Sequence, residues 1–474
     1  MSHVHDYALE PDRLTFWGTE RPKGTGPILY WMQASPRLTD NLALSWAASQ
    51  ARQENRELAI LSILDPEESH PYLARQFYEE GLAHTAQLLQ EQGLTLVLVR
   101  GSTLPILTLA TQNAGFVVLD RAYTQEQRHL RRELARVCPV PLVGVEDNVL
   151  VPVTSASPKE EWSAATFRPK FWRAVHNRSP EYSGSWTVKD GGSKLAVQMV
   201  DQGVELVKLR VLPGQLAGES AAQAQWQDFL ARKLTRYGQR NDPLQEVNSG
   251  LSPYLRFGFI SPLTLFRDLQ AENISKPSVA FVPAGTDPHA EFQDEVFVRR
   301  ELSVNFLFYQ PLYAHFEGLP AWAQATLQAH RQDPREALYR EDEWDTAQTH
   351  DEVWNTCQLL LRTTGQMPGY LRMYWGKKFL EWSATPEEGF RTAVTLNNRW
   401  SLDGNDPNSW AGVAWCFGKH DRPWGERAVW GTIRSMKASG LKRKFDVDGW
   451  LSTIRPKLVL ESLKRSAKPG DLPL

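Results

Sequence analysis

Four short apolar runs, Ile28–Met32, Leu58–Leu64, Leu94–Val99 and Phe116–Leu119, alternate with segments at Leu38–Asn55, Pro71–Gln92 and Leu104–Asn113 that are each long enough for a crossover helix. Runs apolar on both sides suit strands buried on both faces, and strands joined through helices demand a parallel, doubly wound α/β sheet. In such sheets ligands sit beyond the carboxyl ends of the strands. That rule points here to Met32–Arg37, Asp65–Ser69 and Arg100–Ser102. No GxGxxG follows the first strand, and Gly24-Thr25-Gly26 precedes it, so the ordinary dinucleotide fingerprint is absent. Val145–Ser157 reads as a last strand followed by an exit loop.

From Ala221 onward the pattern changes to helices. Ala221–Tyr237, Pro262–Gln270, Asp287–Tyr309, Pro320–His330, Thr349–Thr363, Pro368–Trp382 and Pro386–Asn398 fit, with proline commonly near the start. At 474 residues the chain exceeds one ordinary core. The expected organisation is a loose arm over residues 1–25, an α/β domain over 26–157, a connection over 158–220 and a helical domain over 221–474. The Gly- and Ser-rich stretch Gly184–Gly218 falls within the connection, and the helical domain is large enough to bury a sizeable cofactor.

Charge is balanced overall, at −2, which argues against a uniformly basic coat. From Trp415 onward, however, 13 Lys+Arg stand against 6 Asp+Glu. That excess suits a phosphate-facing surface or a solvated basic tail. Three scattered cysteines, Cys138, Cys357 and Cys416, form neither a disulfide framework nor a CxxC metal site. His3 and His5 lie in the polar arm and are discounted as metal ligands, so no metal is expected. Without an 18-residue apolar run or a signal core, the chain reads as soluble and intracellular, and a monomer is expected. The expected place is a bacterial-type cytosol, or the nucleus in a eukaryotic cell.

Ten of the eighteen tryptophans fall between Trp344 and Trp450, among arginines and asparagines. Indoles offer a π-face and a readily lost electron, so they serve core packing, base stacking or electron movement alike. The loop Asn248-Ser249-Gly250-Leu251-Ser252 ahead of a helix supplies donors for phosphate oxygens, or an elaborate helix cap. In Asp294–Glu301, Glu295 and Arg299 are i,i+4 neighbours, with Arg300 on an adjacent face of an otherwise apolar helix. Trp375 and Trp382 lie seven apart on another helix, as a core stripe would also place them. Downstream, Leu402–Trp410 is a turn dense in polar side chains, with Arg372 available to pair with Asp403 around a heteroaromatic ring.

Taken together, the segments NSGLSPYLRFGFIS (248–261), RREL (299–302), THDEVWN (349–355), TGQMPGYLRMYWGKKFLEW (364–382), LDGNDPN (402–408), AWCFGKHDRPWGER (414–427) and KRKFDVD (442–448) resemble the class II cyclobutane pyrimidine dimer (CPD) photolyases. Leu29-Tyr30-Trp31-Met32 fits the α/β domain of that family. The resemblance runs in order through nearly all of the chain beyond residue 25. It implies a carbon–carbon lyase that binds FAD, active as FADH⁻, and repairs UV-damaged DNA, duplex or single-stranded, in light.

The same resemblance implies the roles of individual residues. Tyr237, Asn248, Ser249, Gly250, Leu251, Ser252, Arg372, Asn397, Asp403 and Asn405 would bind the flavin, with Asn408 a second choice beside Asn397 for its N5 edge. Glu295 would contact the dimer, and Arg300 the flavin or DNA phosphates. Trp415 would pack against the flipped-out lesion, with Arg299, Arg422, Arg427, Lys442, Arg443 and Lys444 toward DNA. Photoreduction would run through Trp375, then Trp354, then Trp382 near the surface, leaving Trp344, Trp400 and Trp450 to packing. Relatives carry a deazaflavin antenna, a folate antenna or none, and no residue here decides among them. His420-Asp421, adjacent in sequence, is not read as a catalytic pair. A cryptochrome-like light sensor, a (6–4) photolyase and a non-catalytic nucleic-acid binder are the alternatives. The chain ends soon after KRKFDVD, without the tail such sensors often carry, which favours the enzyme.

Overall fold

The apolar runs pair as their alternation with helices requires. A computed structural model describes residues 9–66, 71–178, 188–211, 214, 216–271 and 285–466. Its strands are β1 (Leu14–Trp17), β2 (Ile28–Trp31), β3 (Glu57–Leu64), β4 (Leu96–Arg100), β5 (Phe116–Asp120), β6 (Leu142–Val145), β7 (Lys189–Asp190) and β8 (Glu205–Leu206). They form one sheet in the order β1-β6-β5-β2-β3-β4-β8, with β7 beside β3. Strands β2 to β6 are mutually parallel, and β1 and β8 close the two edges antiparallel.

Successive side chains of a strand point to opposite faces, and the core divides accordingly. Ile28 and Tyr30 pack with helices Leu42–Gln53 and Tyr72–Glu91, whereas Leu29 and Trp31 pack with Thr103–Thr111, Gln125–Val137 and Gly192–Asp201. The helical half includes Glu219–Arg232, Pro262–Ala271, Ala321–Ala329, Glu352–Thr364, Gly369–Trp382, Pro386–Trp400 and Pro407–Cys416. The expected helix over Asp287–Tyr309 is three pieces: Pro288–Gln293, a π-helical turn at Asp294–Arg299, and Arg300–Tyr309. Such wide turns concentrate at functional sites, and this one carries Glu295.

Several sequence expectations need correcting. Residues within the supposed loose arm form β1, and Arg13 is fully buried, donating to the carbonyls of Glu146, Val149 and Leu150 at 2.9, 3.1 and 2.6 Å. Residues 189–206, expected to be connection, contribute β7, a helix and the edge strand β8 to the sheet. The strand expected from Val145 is β6, which ends there and is followed by a helical turn at Val153–Ala156. His3, His5, the end of Asp65–Ser69 and parts of Gly184–Gly218 lie outside the described residues.

The strand order reverses between β2 and β5, the switch point at which doubly wound sheets bind ligands. Here the chain fills that crevice itself. Asp120, at the end of β5, accepts hydrogen bonds from the N–H groups of Gln33, Ala34 and Ser35 at 3.0, 2.6 and 3.1 Å and from the Tyr30 hydroxyl at 2.8 Å. The turn so fixed presents Arg37, fully buried, which pairs with Asp147 at 2.9 Å and donates to the Gly258 carbonyl at 2.8 Å. Gly258 has φ +72°, and a Cβ there would overlap the Ala34 carbonyl oxygen. Only glycine meets both conditions. A second tie is Glu301, whose buried carboxylate accepts the Leu150 and Val151 N–H groups at 2.5 and 3.3 Å.

Gly258→Ala should therefore destabilise the protein by about 1–3 kcal/mol through backbone strain alone. Thermal unfolding checks this, and an unchanged midpoint contradicts it. Burial pushes the Glu301 carboxyl from 4.5 up to about 7, so the folded state holds this proton more tightly than the unfolded chain. Its stabilising contribution is complete below pH 4.5 and declines as pH rises through about 7. Subtracting the unfolding free energy of Glu301→Gln from that of the parent should give a curve that falls over this window. A flat difference curve contradicts the assignment.

Candidate active site

A cavity of about 580 Å³ opens in the helical half, within the size range of small-molecule sites. One wall is the loop Asn248–Ser252 with Tyr237; another is Arg372, Asp403, Asp406 and Asn408; Glu295 and Arg300 also line it. The loop folds this way because Gly250 sits at φ +69° and Gln225 Nε2 holds the Ser249 carbonyl at 2.6 Å. The helix after it spans only Ser252–Phe257. So short a helix has a weak dipole, and the donors here are individual N–H and hydroxyl groups.

Arg372 Nη1 donates to both oxygens of Asp403, at 2.9 and 3.0 Å, as the sequence suggested. Arg372 Nε and Arg300 Nη1 are buried without a hydrogen-bond partner among the described residues. Buried guanidinium nitrogens need acceptors, and both residues line the cavity. A ligand carrying phosphate and carbonyl oxygens satisfies that need, so these residues fit a flavin dinucleotide. Tyr237 is buried, and desolvation with Glu295 nearby raises its phenol well above the ordinary tyrosine range, keeping it a neutral donor.

Glu295 faces Arg299 Nε at 3.3 Å and Arg240 Nη2 at 3.9 Å. Arg240, which the sequence reading passed over, also lies 4.8 Å from the Tyr237 ring centre and pairs with Glu291. Asn408 lines the cavity and accepts from Ser303 Oγ at 3.1 Å. Asn397 is buried, with its amide bonded to Ser409 and Asn398. Asn405, at φ +60°, lines a separate cleft with Arg256, Thr124 and Gln127.

Trp354 and Trp375 stack with centroids 6.2 Å apart and planes 7° apart. Trp375 Nε1 donates to Gln358 Oε1 at 3.0 Å, and Trp354 Nε1 to the Trp375 carbonyl at 3.1 Å. The expectation that Trp382 lies near the surface is corrected: its ring is 1% exposed, covered by Tyr339, His350 and the Lys378 ammonium.

Trp415 is half-buried at one end of a run of alternating cations and rings. Lys377 Nζ is 4.7 Å from its centroid and the Arg434 guanidinium 5.9 Å. Arg434 is also 5.0 Å from the Trp424 ring, over which Arg422 sits at 5.1 Å. Lys377 is wholly buried, donates to the Cys416 carbonyl at 2.8 Å, and is pushed by desolvation down to about 8. In GKKFLEW it looks like an ordinary solvated helix lysine, and only the packing shows otherwise. Arg422, Arg427, Lys442, Arg443 and Lys444 are exposed, and Arg299 is partly exposed. His420 is held near pH 3 by desolvation first and then by Lys419, so it is neutral and no general acid at neutral pH.

The model of the family described as DNA photolyase matches residues 28–184. A deoxyribodipyrimidine photo-lyase of Methanothermobacter thermautotrophicus is 39% identical over 94% of this chain and 99% of its own length. One from Oryza sativa is 35% identical over 95% and 92%. Among solved structures, an archaeal photolyase from Sulfolobus tokodaii with two FAD molecules superposes with a TM-score of 0.66 at 14% identity, over 94% of this chain and 95% of that one. The last comparison speaks to fold alone. Identity of that level carried from end to end settles kinship, and the chain belongs to the deoxyribodipyrimidine photo-lyase family.

Proposed function

We propose that the protein splits cyclobutane pyrimidine dimers in DNA by light-driven electron transfer and, from the motifs quoted above, that it is of the class II type. The observation that carries the reading is the cavity in which two unpartnered guanidinium nitrogens, the Asn248–Ser252 loop and the Arg372–Asp403 pair converge. The group proposed for it is FAD. The chemistry supplied by bound, fully reduced FAD is a light-excited electron, lent to the dimer and recovered once the ring has opened.

The residues of this chain do the rest by position and charge. Asn248, Ser249 and Ser252 offer donors to phosphate oxygens, and Arg372 with Asp403 presents a paired edge to the flavin ring. A dimer inside a duplex cannot reach a buried cavity, so it must be extruded; a damaged, poorly stacked pair leaves at lower cost. Trp415 supplies the ring against which it packs, kept in place by Lys377. Arg299, Arg422, Arg427 and the Lys442-Arg443-Lys444 run meet the backbone, which makes binding salt-dependent. Glu295, at the cavity lining, contacts the extruded bases. Trp375 and Trp354 begin the path by which electrons reach the cavity, and Trp382 ends it.

Illumination of the reduced protein with thymine-dimer DNA should restore intact thymines; dark-stable FAD binding without repair overturns the reading. Restoration on (6–4) photoproducts alone favours that alternative. Glu295→Ala should keep its FAD and lower the repair yield per absorbed photon, whereas full yield removes Glu295 from the mechanism. In Trp375→Phe, photoreduction should be lost while chemically reduced protein repairs nearly as before. An unaltered photoreduction rate contradicts the relay.

A further inference from the structure

The relay has a gap. Trp354 and Trp375 touch, but no ring contact joins Trp354 directly to Trp382 among the described residues. Between them stands Trp344, on the short helix Glu341–Asp345. Its ring centroid is 4.8 Å from that of Trp354 at 65°, and 5.9 Å from that of Trp382 at 18°, nearly parallel. Trp344 is 1% exposed, and its Nε1 donates to the Tyr339 carbonyl at 3.1 Å, which fixes the plane of the indole. Phe379, at 4.6 Å, packs against it as well, but a phenyl ring is much harder to oxidise than an indole.

We infer that Trp344 is an electron-relay residue, placed between Trp354 and Trp382. Electron tunnelling falls exponentially with the gap between donor and acceptor edges, so two short steps through an oxidisable ring outrun one long step past it. The inference rests on the proposal that Trp375, Trp354 and Trp382 form the photoreduction path.

The electron count closes. When Trp354 has given an electron to Trp375, it carries the hole. Trp344 fills that hole with one electron, and Trp382 then fills the hole on Trp344. One electron has moved toward the cavity and Trp382 is left as a radical cation. An external thiolate then returns one electron to Trp382, restoring the closed-shell indole and leaving a thiyl radical.

The surroundings of the two rings differ. It is enclosed by Trp354, Phe379, Trp382 and Tyr339, with no cation–π partner among the described residues. Trp382 lies beside a Lys378 ammonium, 4.8 Å from its centroid, that is itself paired with Glu381 at 2.5 Å. Trp382 Nε1 is buried and has no hydrogen-bond partner among the described residues. With no acceptor at hand, the oxidised Trp382 indole keeps its proton as a radical cation.

Time-resolved absorption of tryptophan radicals in the oxidised, flavin-loaded protein tests the inference. In Trp382→Phe the hole should still advance to Trp344 and outlive, several-fold, the hole in Trp344→Phe/Trp382→Phe, where it stops at Trp354 and recombines. Trp344→Phe alone should slow formation of the long-lived radical and lower the photoreduction rate, with flavin content and repair by chemically reduced protein unchanged. Equal lifetimes in the Trp382→Phe single and the double variant overturn the role of Trp344. Trp375→Phe run in parallel separates the two claims. If it abolishes radical formation while Trp344→Phe changes nothing, only the bridge fails; if neither has an effect, the whole path fails.

Discussion

The Arg37–Asp147 pair, fully buried where β2 and β5 diverge, is the contact on which the placement of everything else depends. A doubly wound sheet leaves a crevice at its switch point, and most such proteins put a ligand there. This chain instead inserts its own turn, held by Asp120, and uses Arg37 to grip the Gly258 carbonyl. Gly258 ends the short helix that follows the Asn248–Ser252 loop. One wall of the cavity is thus registered against the sheet, and removing either member of the pair would leave an uncompensated buried charge, costing about 3–5 kcal/mol. Glu301 makes a similar tie one residue beyond Arg300, which also lines the cavity.

Paired charge, much of it buried, recurs through the helical half beside the side chains proposed to act. Arg372 is held by Asp403 with one nitrogen to spare, and Glu295 is flanked by Arg240 and Arg299. Lys377 backs Trp415, and Lys378 with Glu381 backs Trp382. Desolvating these groups is costly. Their arrangement makes sense as preorganisation, in which charges are already in place before a cofactor or a lesion arrives.

Much of this was legible in the sequence because it follows from period and local chemistry. Strands β2 to β5 announced themselves as apolar runs, and helices such as Gly369–Trp382 and Pro386–Trp400 began at prolines. The Arg372–Asp403 pair could be guessed from a polar turn beside a lone arginine. What remained hidden depends on long-range packing. β1 and β8 are short edge strands whose residues carry no buried pattern, and β1 is recognisable only once Arg13 is seen to anchor it. The π-helical turn at Glu295 has the composition of an ordinary helix. Lys377 and Trp344 look like a surface lysine and a core indole, and nothing local distinguishes them. Asn397, chosen on resemblance, lies against Ser409 while Asn408 faces the cavity, a difference set by tertiary placement rather than by either residue's neighbours.

The most direct measurement is the structure, determined in the dark, of the purified protein bound to a duplex that carries one thymine dimer. Flavin is expected in the cavity with its ring edge at the Arg372–Asp403 pair, and the dimer out of the helix between Glu295 and Trp415. A cavity without flavin, or a dimer still stacked within the duplex, would contradict light-driven repair at this site.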